Sequence, residues 1–171
     1  MNKPILRSMK ESDLTTVLNW RNHSDVRKYM YSTKQIKINE HLDWYAKESQ
    51  NPAVHLLIYE KDEQPMGFVN ISHKRFPKIA EWGFYLDPNG GVRGSGMELG
   101  NLAIDFTFKN LKLHKLCGQA IAFNSRSITF HEKLGFLKEG VGRDHFFDGF
   151  QFHDVMYFGL LRREAQLLIK D

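Results

Sequence analysis

The sequence predicts an α/β fold with a central mixed, mostly antiparallel sheet flanked by helices. Three observations lead there. The apolar period changes from helical to alternating after residue 49; a glycine-rich loop joins a strand to a long apolar helix; helix and strand signals alternate through the C-terminal half. The length, 171 residues, fits a single domain over 1–171 with a core large enough to need no staples.

The elements follow in order. "PILRSMK" opens as a short strand, and "ESDLTTVLNWRN" reads as a helix with Leu14, Val17 and Leu18 on one face. A short helix is expected around "SDVRKYM", preceded by Asn22 and His23 as a turn or cap. A third helix is expected over "INEHLDWYAKES", where Leu42, Tyr45 and Ala46 fall at helical spacing. "HLLIYE", "MGFVNISH" and "IAEWGFYL" read as three successive antiparallel strands joined by the turn-rich "KDEQ" and "KRFPK". The loop "DPNGGVRGSG" precedes the long helix "MELGNLAIDFTFKNL". "KLCGQAI" is a strand, and "SRSITFHEKL" is a helix started by Asn124 and Ser125 and stopped at Gly135. "GFLKEG" is another strand, and "FFDGFQFHDVMYFGLL" closes the chain as a hairpin turning at Asp148-Gly149.

Composition narrows the function classes. Hydrophobic residues make up 42% and charged residues 26%, as in ordinary soluble domains. Apolar stretches are strand-sized, so no membrane span is expected, and the charged N-terminus does not read as a secretory signal. The single cysteine, Cys117, excludes an internal disulfide framework, reads as a small buried apolar residue and fits a cytoplasmic setting. Net charge is +4, with 24 Lys+Arg mixed among 20 Asp+Glu. No basic run carries interleaved aromatics, so no nucleic-acid partner is expected, and no metal site is read.

Between the third antiparallel strand and the long helix lie Gly90, Gly91, Gly94 and Gly96. Backbone N–H groups with no Cβ in front of them can converge on phosphate oxygens, and the helix dipole favours an anion there. Arg93 adds a charge-assisted donor. The loop lacks the GK[ST] ending of a nucleotide P-loop.

The tracts "VRGSGME" and "NSRSITFHEKLGF" together resemble the Gcn5-related N-acetyltransferase (GNAT) superfamily. Its acetyl-coenzyme A loop reads Arg/Gln-x-x-Gly-x-Gly/Ala; Arg93 and Gly96 fill the first two places, and Glu98 stands where a small residue is usual. The later signature matches at Asn124, Glu132, Lys133, Gly135 and Phe136. The resemblance implies a splayed strand pair, "IAEWGFYL" and "KLCGQAI", that holds acetyl-CoA. Leu86, Arg93, Gly94, Ser95, Gly96, Met97, Asn124, Ser127 and Lys133 would contact the cofactor, and backbone N–H groups near Phe84 to Leu86 would polarise the thioester carbonyl. An amine would attack directly in a ternary complex.

The tract "LNWRNHSDVRKYMYS" followed by "EHLDWYAK" resembles the sugar-nucleotide N-acetyltransferases of pseudaminic acid biosynthesis. That likeness implies a UDP-linked 4-amino-4,6-dideoxy sugar as acceptor, with Arg21, His41, Ser72 and Tyr85 as substrate-binding residues. The guanidinium suits a diphosphate and aromatic surface suits uracil, although Trp20 and Trp44 read first as core.

Glu81, in the middle of its strand, is the candidate base, acting through water. His131 takes the place where the superfamily often carries a tyrosine acid, so it becomes the candidate proton donor to the leaving thiolate. Spacing alone aligns His131 with Ile128 and Leu134, the setting of a core histidine with satisfied hydrogen bonds. Two alternatives are a ribosomal-protein-type N-terminal acetyltransferase and a non-catalytic CoA-binding sensor. The aromatic C-terminal hairpin suggests a homodimer.

Overall fold

The computed structural model describes residues 3–90 and 93–168. Gly91 of the predicted anion loop lies outside them. Strand β1 (Ile5–Ser8) leads through a 3-10 turn (Glu11–Asp13) into α1 (Leu14–Asn22) and α2 (Ser24–Arg27), and α3 (Ile38–Glu48) follows. Strands β2 (Val54–Lys61), β3 (Gln64–Phe76) and β4 (Ile79–Leu86) are succeeded by α4 (Ser95–Asp105), whose last turn widens into a π-helix (Phe106–Asn110). Then come β5 (Lys115–Ile121), α5 (Ser125–Lys133), β6 (Leu137–Phe147), β7 (Phe152–Leu161) and α6 (Arg162–Leu168).

The seven strands form one sheet in the order β1-β2-β3-β4-β5-β7-β6. Only β4 and β5 pair in parallel, so the sheet is mixed and mostly antiparallel, as the sequence predicts. The β2–β3 turn is tighter than expected. Asp62 and Glu63 both adopt positive φ, 49° and 64°, the twist that suits a two-residue hairpin. β6 continues to Phe147, past the predicted stop at Gly140, because register shifts after Lys138 and Gly142 let it stay paired to β7. Helix α6 is a further element that the sequence reading did not contain.

The break between α1 and α2 has a local cause. His23 turns to ψ 139°, and its Nδ1 accepts from the Asp25 N–H at 3.2 Å, capping α2. Asn22 meanwhile exchanges two hydrogen bonds of 2.8 Å with the Ile36 backbone. These bonds fold the segment after α2 back against α1.

The sheet separates two cores. On one face Leu57, Val69, Ile71, Trp82, Leu116 and Phe158 pack under α4 and α5 with Leu99, Ala103 and Leu134. On the other face Leu56, Ile58 and Phe68 pack with Val17 and Trp20 of α1 and with the half-buried Trp44 and Tyr45 of α3. Each fully buried side chain such as Leu99 or Phe158 stabilises the fold by about 1.5–3 kcal/mol. Trp20, read as core in the sequence, is buried in this cluster, and Trp44 packs against its edge.

Candidate active site

The parallel pairing of β4 with β5 covers only Ile79 to Glu81 against Lys115 to Cys117. Beyond Glu81 and Cys117 the strands part. His131 of α5 sits over this divergence, against Trp82 and Gly118, the first residue past pairing on each strand. Trp82 Nε1–H donates to His131 Nε2 at 3.1 Å. A Cβ on Gly118 would collide with that ring nitrogen, so glycine is required where the imidazole lies across the sheet.

The parting strands leave backbone groups facing each other's empty side. Asp87 N–H donates to Met66 O on the β3 side at 2.9 Å. Alternation along the strand then turns the N–H groups of Phe84 and Leu86 toward β5.

His131 itself does not fit the acid role expected of it. Its Nδ1–H donates to Ser127 O at 2.8 Å, its Nε2 accepts from Trp82, and the ring stacks on Phe158 at 4.8 Å. The side chain is 1% exposed, and burial lowers its pKa, with the Ser127 bond only partly opposing. The tautomer fixed by these partners is neutral and has no N–H left for a leaving thiolate. His131 is a core histidine.

The glycine loop opens onto the N-terminus of α4. Gly94 takes φ 94° just before α4, and no side chain caps the helix there, so its first N–H groups are open to a ligand. Ser95 is 3% exposed, its side chain buried beside the Tyr59 hydroxyl. Gly96 faces Leu86 of β4 and Phe130 of α5, at 3.8 and 3.7 Å from a notional Cβ. Glu98, the departure from the family pattern, turns away from the loop. Its carboxylate takes the Tyr59 hydroxyl at 2.6 Å and the Lys61 ammonium at 3.0 Å. These bonds lower the Glu98 pKa, while burial and the carboxylate push Tyr59 up to about 12.

The other predicted cofactor residues are placed unevenly. Leu86 and Met97 are half-buried beside the loop, Arg93 is exposed at its rim, and Ser127 is half-buried in the first turn of α5. Asn124 caps α5, its Oδ1 accepting from Ser127 N–H at 3.1 Å. Lys133 lies exposed at the opposite end of that helix, about 13 Å away at 1.5 Å per residue. The loop, Leu86 and Gly96 thus form one group, and Lys133 stands apart from Asn124.

On the α1 side of the sheet lies a second set. Strand alternation puts Asn70 and Ser72 of β3, Glu81, Gly83 and Tyr85 of β4, and Cys117 and Gln119 of β5 on this face. Ser72 pairs with Glu81 across the strands, and Glu81 is exposed, with no ion pair among the described residues. Tyr31 O–H reaches over from the segment after α2 and donates to Gln119 Oε1 at 2.6 Å. Arg21, from α1, donates through Nη2 to Ser32 O at 3.0 Å, and its Nη1 is buried without a partner. Asn70 Oδ1 is likewise buried and unpaired. Burial raises the Tyr85 pKa, and the nearby Arg21 charge pulls it back. Cys117 is half-buried, and burial pushes its thiol up.

Of the predicted acceptor residues, then, Arg21, Ser72 and Tyr85 share one face with Glu81. His41 does not join them. It is 4% exposed, stacks on Trp44 at 5.1 Å, and bonds through Nε2 to Leu14 O at 3.1 Å. Burial lowers its pKa, and the neutral ring ties α3 to α1. The residues missing from the sequence reading are Asn70, Tyr31 and Gln119. Tyr31 and Gln119 are 88 positions apart and meet only in the fold, and Asn70 joins them through strand register. Among the described residues no cluster of three His, Cys, Asp or Glu is placed to hold a metal ion, and no helix is long and apolar enough to cross a membrane.

A strand splay with open backbone donors, beside a glycine loop at a helix N-terminus, defines an acyl-CoA-binding scaffold. The family model of the acetyltransferase (GNAT) domain matches residues 4–137, and the chain belongs to that family. It is therefore an acetyl-CoA-dependent N-acetyltransferase. The acetyltransferase PseH of Campylobacter jejuni is 30% identical over 131 residues, 75% of this chain and 79% of that protein. Spermidine N(1)-acetyltransferase of Vibrio cholerae is 24% identical over 159 residues, 92% of each. The crystal structure of the Vibrio cholerae spermidine N-acetyltransferase, in complex with CoA and spermine, superposes with a TM-score of 0.89. That match has 23% identity over 95% of this chain and 98% of that one, and establishes the shared fold.

Proposed function

We propose that the enzyme transfers acetyl to the 4-amino group of a UDP-linked 4-amino-4,6-dideoxy sugar by direct attack in a ternary complex. The observation that carries this reading is Arg21, a guanidinium held half-buried on the acceptor face with Nη1 unpaired beside Tyr85. A polyamine carries several positive charges, and a fixed buried cation repels it. A sugar nucleotide offers oxygen acceptors that satisfy Arg21 and a hydroxyl or amide N–H for the unpaired Asn70 Oδ1. The likeness to PseH over three quarters of the chain supports the same class.

Acetyl-CoA, when bound, supplies an activated thioester. Ser95, Gly96 and Met97 would take its pyrophosphate on their backbone N–H groups, with Arg93 at the rim. The Phe84 and Leu86 N–H groups would polarise the acyl carbonyl. Glu81, open to solvent at the start of the splay, would accept the amine proton through water. A thiol with an ordinary pKa of about 8.5 departs without an obligatory acid, so His131 needs no part in proton transfer.

The deciding experiment is thiol release from acetyl-CoA with three acceptors in parallel: the UDP-4-amino sugar, N-terminal peptides, and spermidine. Turnover is expected with the sugar nucleotide. Turnover confined to peptides or to spermidine would overturn the substrate assignment, and absence of any thiol release would favour a CoA-binding sensor.

A further inference from the structure

The acceptor face continues past Glu81, away from the splay, into a cavity of about 360 Å³ lined in part by Ser72, Lys74, Arg75, Phe76, Glu81 and Lys115. Its two ends differ in charge. Glu81 stands at the inner end, next to the divergence of β4 and β5. Three cations stand along the outer walls, two of them ion-paired and Arg75 not.

Lys74 and Lys115 each contact both oxygens of one carboxylate, Glu48 at 3.1–3.2 Å and Glu139 at 2.7 Å. An ammonium has three N–H donors, so each keeps one for an incoming oxygen. Arg75 has no carboxylate partner among the described residues. Its guanidinium lies over the Phe76 ring, 5.4 Å from the centroid, and Phe76 is 50% exposed. An unpaired guanidinium beside an open aromatic ring presents a bidentate phosphate donor next to a stacking surface.

We infer that this cavity is the distal acceptor subsite for a nucleoside diphosphate, with Arg75, Lys74 and Lys115 holding the phosphates and Phe76 stacking on the base. The inference rests on the sugar-nucleotide reading above and assigns that substrate's anionic end to residues the family resemblance did not name. Two features support it. First, β3 bulges between Ser72 and Phe76, so Phe76 stands opposite Ile79, two residues from Glu81, and both ends line one cavity. The cavity is also polar in the matching sense, with a carboxylate for the amine at one end and cations for phosphate at the other. A polyamine, cationic at both ends, has no such match. Arg21, which the sequence suggested for the diphosphate, lies at the opposite end of the floor and is left for oxygen atoms of the sugar.

The test measures UDP and inorganic pyrophosphate binding to the full chain, together with acetyl-transfer kinetics. Arg75→Ala is expected to weaken UDP and pyrophosphate binding roughly tenfold or more and to raise the KM for the UDP-amino sugar in parallel. kcat for the free 4-amino sugar, which lacks phosphate, stays unchanged. Phe76→Ala weakens UDP and leaves pyrophosphate unaffected, because only the base loses its surface. Both positions lie in an exposed hairpin, so the variants fold. If the UDP-amino sugar is acetylated and neither substitution alters its KM or UDP affinity, the subsite is overturned while the substrate reading stands. If UDP does not bind and only spermidine or peptides are acetylated, both fall together.

Discussion

Replacing His131 by phenylalanine separates a structural histidine from a catalytic one. The imidazole is 1% exposed, accepts the Trp82 indole N–H at 3.1 Å and stacks on Phe158 at 4.8 Å. Phenylalanine keeps the stacking but removes the acceptor. Trp82 is itself 8% exposed, so its N–H is left buried and unsatisfied, at about 1–3 kcal/mol. The larger ring must also fit against Gly118 and Trp82, where there is no slack, adding about 1–3 kcal/mol of overpacking. The expected loss is about 2–6 kcal/mol, a large share of the 5–15 kcal/mol typical of a domain. Chemical denaturation reads the stability, and thiol release normalised to folded protein reads the chemistry. The expected result is a lowered denaturation midpoint with kcat per folded molecule within about twofold, since an acid contributes about a hundredfold or more where one operates. An unchanged midpoint with a collapsed kcat would refute the reasoning and restore the acid role.

The same burial sets a pH dependence. His131, His41 and His55 are all held below the ordinary histidine range, mainly by burial. Below about pH 6.5 the unfolded chain therefore binds more protons than the folded one, and stability present at neutral pH is lost on acidification, by about 1.4 kcal/mol per pH unit for each proton taken up; denaturation midpoints measured at pH 7.5 and 5.5 should show the fall, shallower in His131→Phe. Gly118→Ala places a methyl against the His131 ring and the Trp82 indole nitrogen and should cost about 1–3 kcal/mol, seen as a lower thermal midpoint. Glu81→Gln should cut kcat about a hundredfold with the fold intact, because the side chain is exposed and unpaired; unchanged kcat would remove the base assignment. Gly96→Val, aimed at the gap between Leu86 and Phe130, should raise the KM for acetyl-CoA and leave that for the acceptor unaltered.

The two histidines show where sequence reasoning stops. "NSRSITFHEKLGF" marks a helix, its start and its stop, and α5 occupies Ser125–Lys133 with Asn124 as its cap. The inward direction of His131 was also legible from its spacing to Ile128 and Leu134. Its chemistry was not, because that depends on Trp82, 49 positions away, donating to the nitrogen a catalytic acid would need. His41 failed for the same reason: the carbonyl that takes its N–H, Leu14 O, belongs to another helix 27 positions back.

The fold class, the order of the strands and of helices α1 to α5, the glycine loop at the start of α4 and the family were all legible in the sequence. These follow from local patterning: the period of apolar residues, the caps, the turn residues and the missing Cβ atoms that let backbone approach phosphate. Only the tertiary structure decided which side chains face one another. Parallel pairing that ends at Glu81 and Cys117 sets the splay, and strand register puts Asn70, Glu81 and Gln119 on one face, over which α1 brings Arg21 and the segment after α2 brings Tyr31. A shift of one residue in a strand would turn its groups on that face to the opposite one.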